Sequence, residues 1–301
     1  MISTKNDHRQ RVKAAINGTR LALGFAAPGF PEWLPAVTPE WIWNWKHQVY
    51  LYKKLEAITA GTCKRLMIFM PPRHSKSETV TVRYSAYRLE RDPKLNIILG
   101  SYNQKLANRF SRKIKRIVAS RVPLAPDRKA VEEWETREGG GLRSVGVGAG
   151  VTGFGAGLIV IDDPVKSRAE AESEVYRDNC WDWFKDDIYT RLEPDAAIVL
   201  MQTRWHDDDL AGRLLKEMED EGGEQWEVVR LPALAEANSP PYEGGVAAAS
   251  ADGVVLSSNP KSKIENQKSD GSPPDSGGVA AASADGVVGT PSVVVTGPSS
   301  N

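Results

Sequence analysis

A lysine followed by a serine, Lys76-Ser77, stands near the end of the segment Met70-Pro71-Pro72-Arg73-His74-Ser75-Lys76-Ser77-Glu78. Those two side chains in that order suit a bound triphosphate. The ammonium meets the β- and γ-phosphates and the hydroxyl ligates Mg²⁺. The segment follows the apolar run Arg65 to Met70 (R-L-M-I-F-M), and a helical pattern extends from about Lys76 to Arg91. A turn from a buried strand into a helix presents successive backbone N–H groups and the helix N-terminus to an anion. Arg73, His74 and Ser75 would lie in that cradle. The segment departs from the usual G-x-x-x-x-G-K-[ST], because Met70 and Ser75 stand where glycines are expected. Ser75 demands a turn that tolerates a Cβ. Taken alone, the pattern also fits an ordinary strand-to-helix turn with an exposed lysine.

A second segment supplies the acidic partner. Leu158-Ile159-Val160-Ile161 ends in Asp162-Asp163-Pro164. At the carboxyl edge of a parallel sheet such a pair lies beside a phosphate loop. Asp162 is expected to hold Mg²⁺ through water, and Asp163 to orient or deprotonate an attacking water. An Asp-Asp-Pro turn after a strand is the plainer account of the same residues. The loop and the acidic pair, in this order, point to an ATP site with Mg²⁺ as cofactor.

These groups need a scaffold to bring them together. Arg65–Met70, Leu95–Gly100, Leu158–Ile161 and Ala197–Met201 are apolar throughout and alternate with helical patterns at Lys46–Ala60, Lys76–Arg91 and Gln104–Ser120. Strands of that kind belong to a sheet buried on both faces. The expected fold is α/β and P-loop NTPase-like, a mostly parallel sheet with helices on both faces. It is followed by a disordered low-complexity tail. The expected organisation is an N-terminal arm over 1–39, an ATPase domain over 40–239 and the tail over 240–301. In the tail, G-G-V-A-A-A-S-A-D-G-V-V occurs at Gly244–Val255 and again at Gly277–Val288, among Ser, Pro, Gly and Asn. Such a composition buries too little surface to offset chain entropy.

Charge and cysteine usage narrow the classes. Lys plus Arg and Asp plus Glu are both 39. From residue 236 onward three Lys face seven Asp or Glu, so the first 235 residues carry a net charge of plus four. A mildly basic folded part leaves nucleic acid open as a partner. The two cysteines, Cys63 and Cys180, have neither zinc-ligand nor disulfide-framework spacing, which suits a reducing compartment. No apolar run reaches the roughly 18 residues that span a bilayer, so no membrane partner is expected.

Several segments, in order, resemble the large terminase subunits of tailed phages and prophages. P-P-R-H-S-K-S-E at 71–78 looks like that family's arginine-bearing phosphate loop. Ile98-Leu99-Gly100-Ser101-Tyr102-Asn103 resembles the strand end after its first crossover. Val151-Thr152-Gly153-Phe154-Gly155, leading to I-D-D-P-V-K, resembles its approach to the acidic motif. Gln202-Thr203-Arg204-Trp205-His206, then Asp209-Leu210 and Gly212-Arg213-Leu214, looks like the segment coupling hydrolysis to movement. The resemblance covers about residues 40–235.

It implies an ATP-hydrolysing motor, active as a homo-oligomeric ring docked on the portal protein, that drives double-stranded DNA into a procapsid with a small terminase subunit as partner. It also implies a location in the host cytoplasm, transiently at the portal. The nuclease domain usual in the family is not expected here, because the acidic residues of the tail lack strand-like runs. The alternatives are a prophage remnant that binds DNA or partners without turnover, and another helicase-like DNA-dependent ATPase. Residue by residue, the resemblance implies that Gln48 contacts adenine and that Arg73 stabilises charge on the γ-phosphate. Thr203 and Arg204 would take part in coupling. Trp45 or Tyr50 would stack on a base, or simply pack the helix onto the sheet, and packing is the expectation. His206, Asp207 and Asp208 suit a helix N-cap better than a metal site. On the helix over 104–120, Leu106, Phe110, Ile114, Ile117 and Val118 form an apolar stripe. Lys105, Arg109, Arg112, Lys113 and Arg116 form a basic face for DNA phosphates, or for acidic groups elsewhere in the fold.

Overall fold

The computed structural model describes residues 27–232. In chain order the elements are α1 (Phe30–Val37), α2 (Lys46–Thr59), β1 (Arg65–Phe69), a π-helical stretch (Ser77–Tyr84) continued by α3 (Ser85–Arg91), β2 (Asn96–Ser101), α4 (Gln104–Ala119), β3 (Leu124–Lys129), β4 (Glu133–Thr136), β5 (Gly141–Gly146) and β6 (Ala156–Asp162). They continue with α5 (Arg168–Glu172), α6 (Glu174–Asp182), a second π-helical stretch (Trp183–Ile188), a 3₁₀ turn (Tyr189–Arg191), β7 (Leu192–Gln202), α7 (Leu210–Glu219) and β8 (Glu227–Arg230).

The eight strands form one sheet in the order β3-β4-β5-β2-β6-β7-β1-β8. From β5 to β8 every pairing is parallel, while β3, β4 and β5 pair antiparallel at one edge. The middles of the central strands are apolar on both sides because both faces are covered. Leu66, Ile68, Leu99, Val160 and Val199 face one core, with Leu55 of α2, Val80 of the first π-helical stretch and Ile114 of α4. Their neighbours Met67, Ile98, Ile159 and Leu200 face the other, with Trp183, Phe184, Leu210 and Leu214. The α/β class, the largely parallel sheet and the four apolar strands match the sequence-based expectation.

One boundary needs correction. The arm expected over 1–39 includes α1, whose Phe30, Trp33 and Leu34 are buried in the first core. Phe30 meets Tyr52 and Tyr84 edge-on, at ring-centroid distances of 5.5 and 5.4 Å. Pro31 obscures this helix in the sequence, yet it lies in the first turn, where its missing N–H costs nothing. The expected disordered tail and its repeat lie outside the described residues. Among the described residues no helix is long and apolar enough to cross a membrane.

Candidate active site

Parallel register gathers the chemistry at one edge of the sheet. Ser101 of β2 and Met201 of β7 flank Asp162 at the carboxyl end of β6. β7 also borders β1, whose end leads directly into the loop carrying Lys76. Four strands therefore deliver the phosphate loop, the acidic pair and the segment after β7 to one place.

The loop supplies its own answer to the missing glycines. Arg73 and Ser75 both take left-handed backbone angles, φ 64° and 59°, and Asp163 does the same at φ 45°. Three of the four non-glycine residues with positive φ among the described residues thus lie in this site. Each such residue costs about 1–3 kcal/mol and persists only where its surroundings hold it. Ser75 is held from two sides. Its hydroxyl donates to the His74 carbonyl at 2.7 Å and accepts from Gln48 Nε2 at 3.2 Å. Its own carbonyl accepts from Thr79 N at 2.9 Å, which begins the helix.

Lys76 is only 6% exposed. Its Nζ donates to Asp163 Oδ1 at 2.6 Å and to Thr203 Oγ1 at 2.7 Å. Asp163 Oδ1 also accepts from Thr203 N at 2.9 Å. Thr203 Oγ1 in turn lies 3.4 Å from the Met70 carbonyl at the start of the loop. The residue expected to reach phosphate and the residue expected to meet water are therefore ion-paired to each other, with Thr203 bound to both.

Asp162 lies deeper, 1% exposed. Its Oδ2 accepts from Thr81 Oγ1 at 2.7 Å, and its backbone carbonyl accepts from Ser101 Oγ at 2.8 Å. Oδ1 is buried and has no hydrogen-bond partner among the described residues. Burial, and then the neighbouring Asp163, push the carboxyl well above the usual carboxylate range. The hydroxyls of Thr81 and Ser77 and the ammonium of Lys76 pull it back. An orphaned buried carboxylate oxygen beside a serine hydroxyl fits a hard divalent cation, which takes oxygen ligands. Ser77 and Asp162 are the residues that would hold Mg²⁺.

The base side is open. A cavity of about 510 Å³ is lined by Glu40, Trp41, Ile42, Trp45, His47, Gln48, Arg73, His74 and Ser75. Trp45 is 57% exposed and Trp41 40%, which corrects the expectation that Trp45 packs helix onto sheet. Tyr50 follows that expectation and lies against the first core. Trp41 is backed by Arg83, whose guanidinium lies 4.1 Å from its ring centroid. Arg83 is fixed by Glu78 Oε2 at 2.6 Å and Thr38 Oγ1 at 3.2 Å. Gln48 is buried, and its amide is engaged at both ends, by Ser75 and by Trp45 N at 3.4 Å. It therefore braces the phosphate loop. Arg73 is exposed on the cavity wall, with no hydrogen bond or ion pair among the described residues.

Other expected residues fall as follows. Arg204 donates to Asp209 Oδ2 at 2.9 Å and lies over the Phe69 ring, joining the end of β1 to the start of α7. The N-cap of α7 is Asp209, which accepts from Gly212 N at 2.9 Å, not the preceding His206, Asp207 or Asp208. The turn is tight, and a Cβ at Gly212 would lie 1.7 Å from the Asp207 carbonyl. Asp208 instead pairs with Arg177, Arg213 and Lys216. No cluster of metal-ligating side chains occurs among the described residues. On α4 the stripe of Phe110, Ile114 and Val118 is buried, and Lys105, Arg109, Arg112 and Arg116 are exposed. Lys113 differs: it is ion-paired with Glu78. Thr81 and Arg83 carry no motif and were not legible as site residues. The one signal was a hydroxyl four residues beyond Ser77 on the same helix.

The family model for the terminase large subunit, T4likevirus-type, N-terminal, matches residues 67–273, most of the chain. The chain belongs to this family. No curated protein matches it. Among solved structures, a variant of Dbp5 from S. cerevisiae bound to RNA and ADP BeF3 is similar at 12% identity and a TM-score of 0.36. That match covers 60% of this chain and 46% of the other, so the chain spans less than half of that structure's length.

Proposed function

We propose that this chain hydrolyses ATP with Mg²⁺ and uses the energy to translocate double-stranded DNA into a procapsid, as one member of a ring docked on the portal and served by a small terminase subunit. The observation that carries the reading is the meeting of Lys76, Asp163 and Thr203 above the buried Asp162. A nucleotide entering the site competes for Lys76, whose ammonium leaves Asp163 for the β- and γ-phosphates. The backbone N–H groups of the loop cradle the same phosphates. Ser77 and Asp162 would hold Mg²⁺, which would supply charge neutralisation at the phosphate oxygens.

Released from Lys76, Asp163 becomes the hydrogen-bond acceptor for the attacking water. Arg73, without a partner among the described residues, answers charge on the γ-phosphate. Thr203 touches Met70, Lys76 and Asp163, so it registers whether Lys76 has left. Arg204 carries that change to α7 through Asp209. The base stacks in the cavity against Trp45 or Trp41, the rings that are exposed there. The exposed Lys105, Arg109, Arg112 and Arg116 follow DNA phosphates. Their role predicts a double-stranded-DNA stimulation of ATP hydrolysis that weakens steeply with salt. Charge reversal at Arg109 and Arg112 should remove the stimulation and spare the basal rate. Equal rates with and without DNA at low salt would count against the motor reading.

A further inference from the structure

We propose that Thr81 is a positioning residue for the cation, aiming the carboxylate of Asp162 so that Oδ1 faces it. The inference rests on the Mg²⁺–nucleotide reading above and extends it to a residue outside the loop and the acidic pair. Thr81 follows Ser77 by four residues on one helix, so both hydroxyls lie on the face turned toward β6. Thr81 Oγ1 donates to Asp162 Oδ2 at 2.7 Å, with Thr81 0% and Asp162 1% exposed. The χ2 torsion of an aspartate is broad and would let the carboxylate plane rock away from the orientation that suits a cation. The Thr81 bond restricts that rotation by anchoring one oxygen, Oδ2, and the other is the buried, unpartnered Oδ1.

The chemistry of the donor also matters. A lysine or arginine at position 81 would orient the carboxylate equally well, but its charge would cancel the negative charge that attracts a cation. A neutral hydroxyl orients the carboxylate and leaves that charge in place. A buried donor of this kind has the role that outer partners play around metal ligands, fixing ligand orientation at a cost of about 10–100-fold in metal affinity when removed.

The test measures Mn²⁺ binding to the full chain in the presence of ADP, by electron paramagnetic resonance, beside the Mg²⁺ concentration that half-saturates turnover. Thr81→Val keeps the shape and deletes the donor. It should weaken Mn²⁺ binding about 10-fold or more and shift the Mg²⁺ requirement equally, while metal-free ADP binding stays unchanged. Thr81→Ser restores the donor and should bring both quantities back to within about 3-fold of the wild type. Should the valine variant fail to fold, Thr81→Ala reads the same quantities with the same expected loss. Wild-type Mn²⁺ affinity in a folded Thr81→Val or Thr81→Ala would overturn the inference and leave the cation site standing. So would a Thr81→Ser as impaired as Thr81→Val. A wild-type chain that binds ADP but no Mn²⁺ would overturn the cation reading itself, and this inference with it.

Discussion

The sheet edge and the base-side cavity sit on either side of one loop and are built in opposite ways. At the edge, Lys76, Asp163 and Thr203 are bonded to one another above the buried Asp162, whose own bonds go to Thr81 and Ser101. In the cavity, Trp41, Trp45, Arg73 and His74 are exposed around an open volume. The edge is preorganised because its charges would be costly to bury unpaired. The cavity offers apolar surface and the guanidinium of Arg73, unpaired among the described residues, groups that on the proposed reading gain partners when a nucleotide arrives. On the proposed reading, the site is closed where the chemistry is sensitive to water and open where a ligand enters. Gln48, Ser75, Glu78 and Arg83 brace the two parts against each other.

The contrast breaks hardest at Lys76. Lys76→Ala should lower turnover at least about 100-fold by removing charge that acts on the transferred phosphoryl group. Unlike an exposed lysine, it should also cost about 2 kcal/mol of stability, because Asp163 loses its partner in a partly buried site. A denaturant titration beside the rate measurement separates the two effects.

Glu78 tests the brace. Burial alone would raise its carboxyl, but Lys113 and Arg83 hold it below the usual glutamate range. Its folded pKa is thus depressed, so its contribution to stability is full above the unfolded value of about 4.3 and fades as pH falls through the folded value. Glu78→Gln should destabilise the chain by about 2 kcal/mol at pH 7 and much less near pH 3. A penalty independent of pH, in denaturation curves at both values, would mean that the charge of Glu78 is not what stabilises the brace.

Trp45 tests the open side. Because its ring is exposed, Trp45→Ala should leave the melting temperature unchanged and raise KM for ATP about 10-fold at constant kcat, the worth of one stacked base. A fall in stability without a change in KM would return Trp45 to packing.

The smallest effect is expected at Ser75. Ser75→Gly relieves a left-handed backbone worth about 1–2 kcal/mol and gives up the Gln48 hydrogen bond, worth about 1 kcal/mol. The two offset, so stability should move by less than about 1 kcal/mol in thermal unfolding.

Legibility in the sequence followed the same physics. β1, β2, β6 and the buried second half of β7 were plain because strands buried on both faces read as apolar runs. β3 (L-A-P-D-R-K) and β4 (E-W-E-T) were not, because an antiparallel edge carries charges and a proline that resemble a loop. α1 was hidden by its prolines. In the site, Lys76, Ser77, Asp162 and Asp163 stood out through their order along the chain. The pairing of Lys76 with Asp163, the bracing by Gln48 and the bond from Thr81 did not. Each joins residues 27 or more positions apart, and each depends on a rotamer that no motif encodes. The loss of glycine at Ser75 raised doubt about the loop, and the doubt was answered by a serine that accepts the left-handed conformation under restraint from two neighbours.

The central claim is that this sheet edge hydrolyses ATP. Asp163→Asn is its most direct probe, since asparagine tolerates the left-handed backbone at this position, leaving loss of the charge as the main change. Phosphate release from ATP by the full chain should be Mg²⁺-dependent in the wild type and at least about 100-fold slower in Asp163→Asn, with nucleotide binding retained. A folded wild type that binds ATP yet releases phosphate no faster than Asp163→Asn would contradict the account.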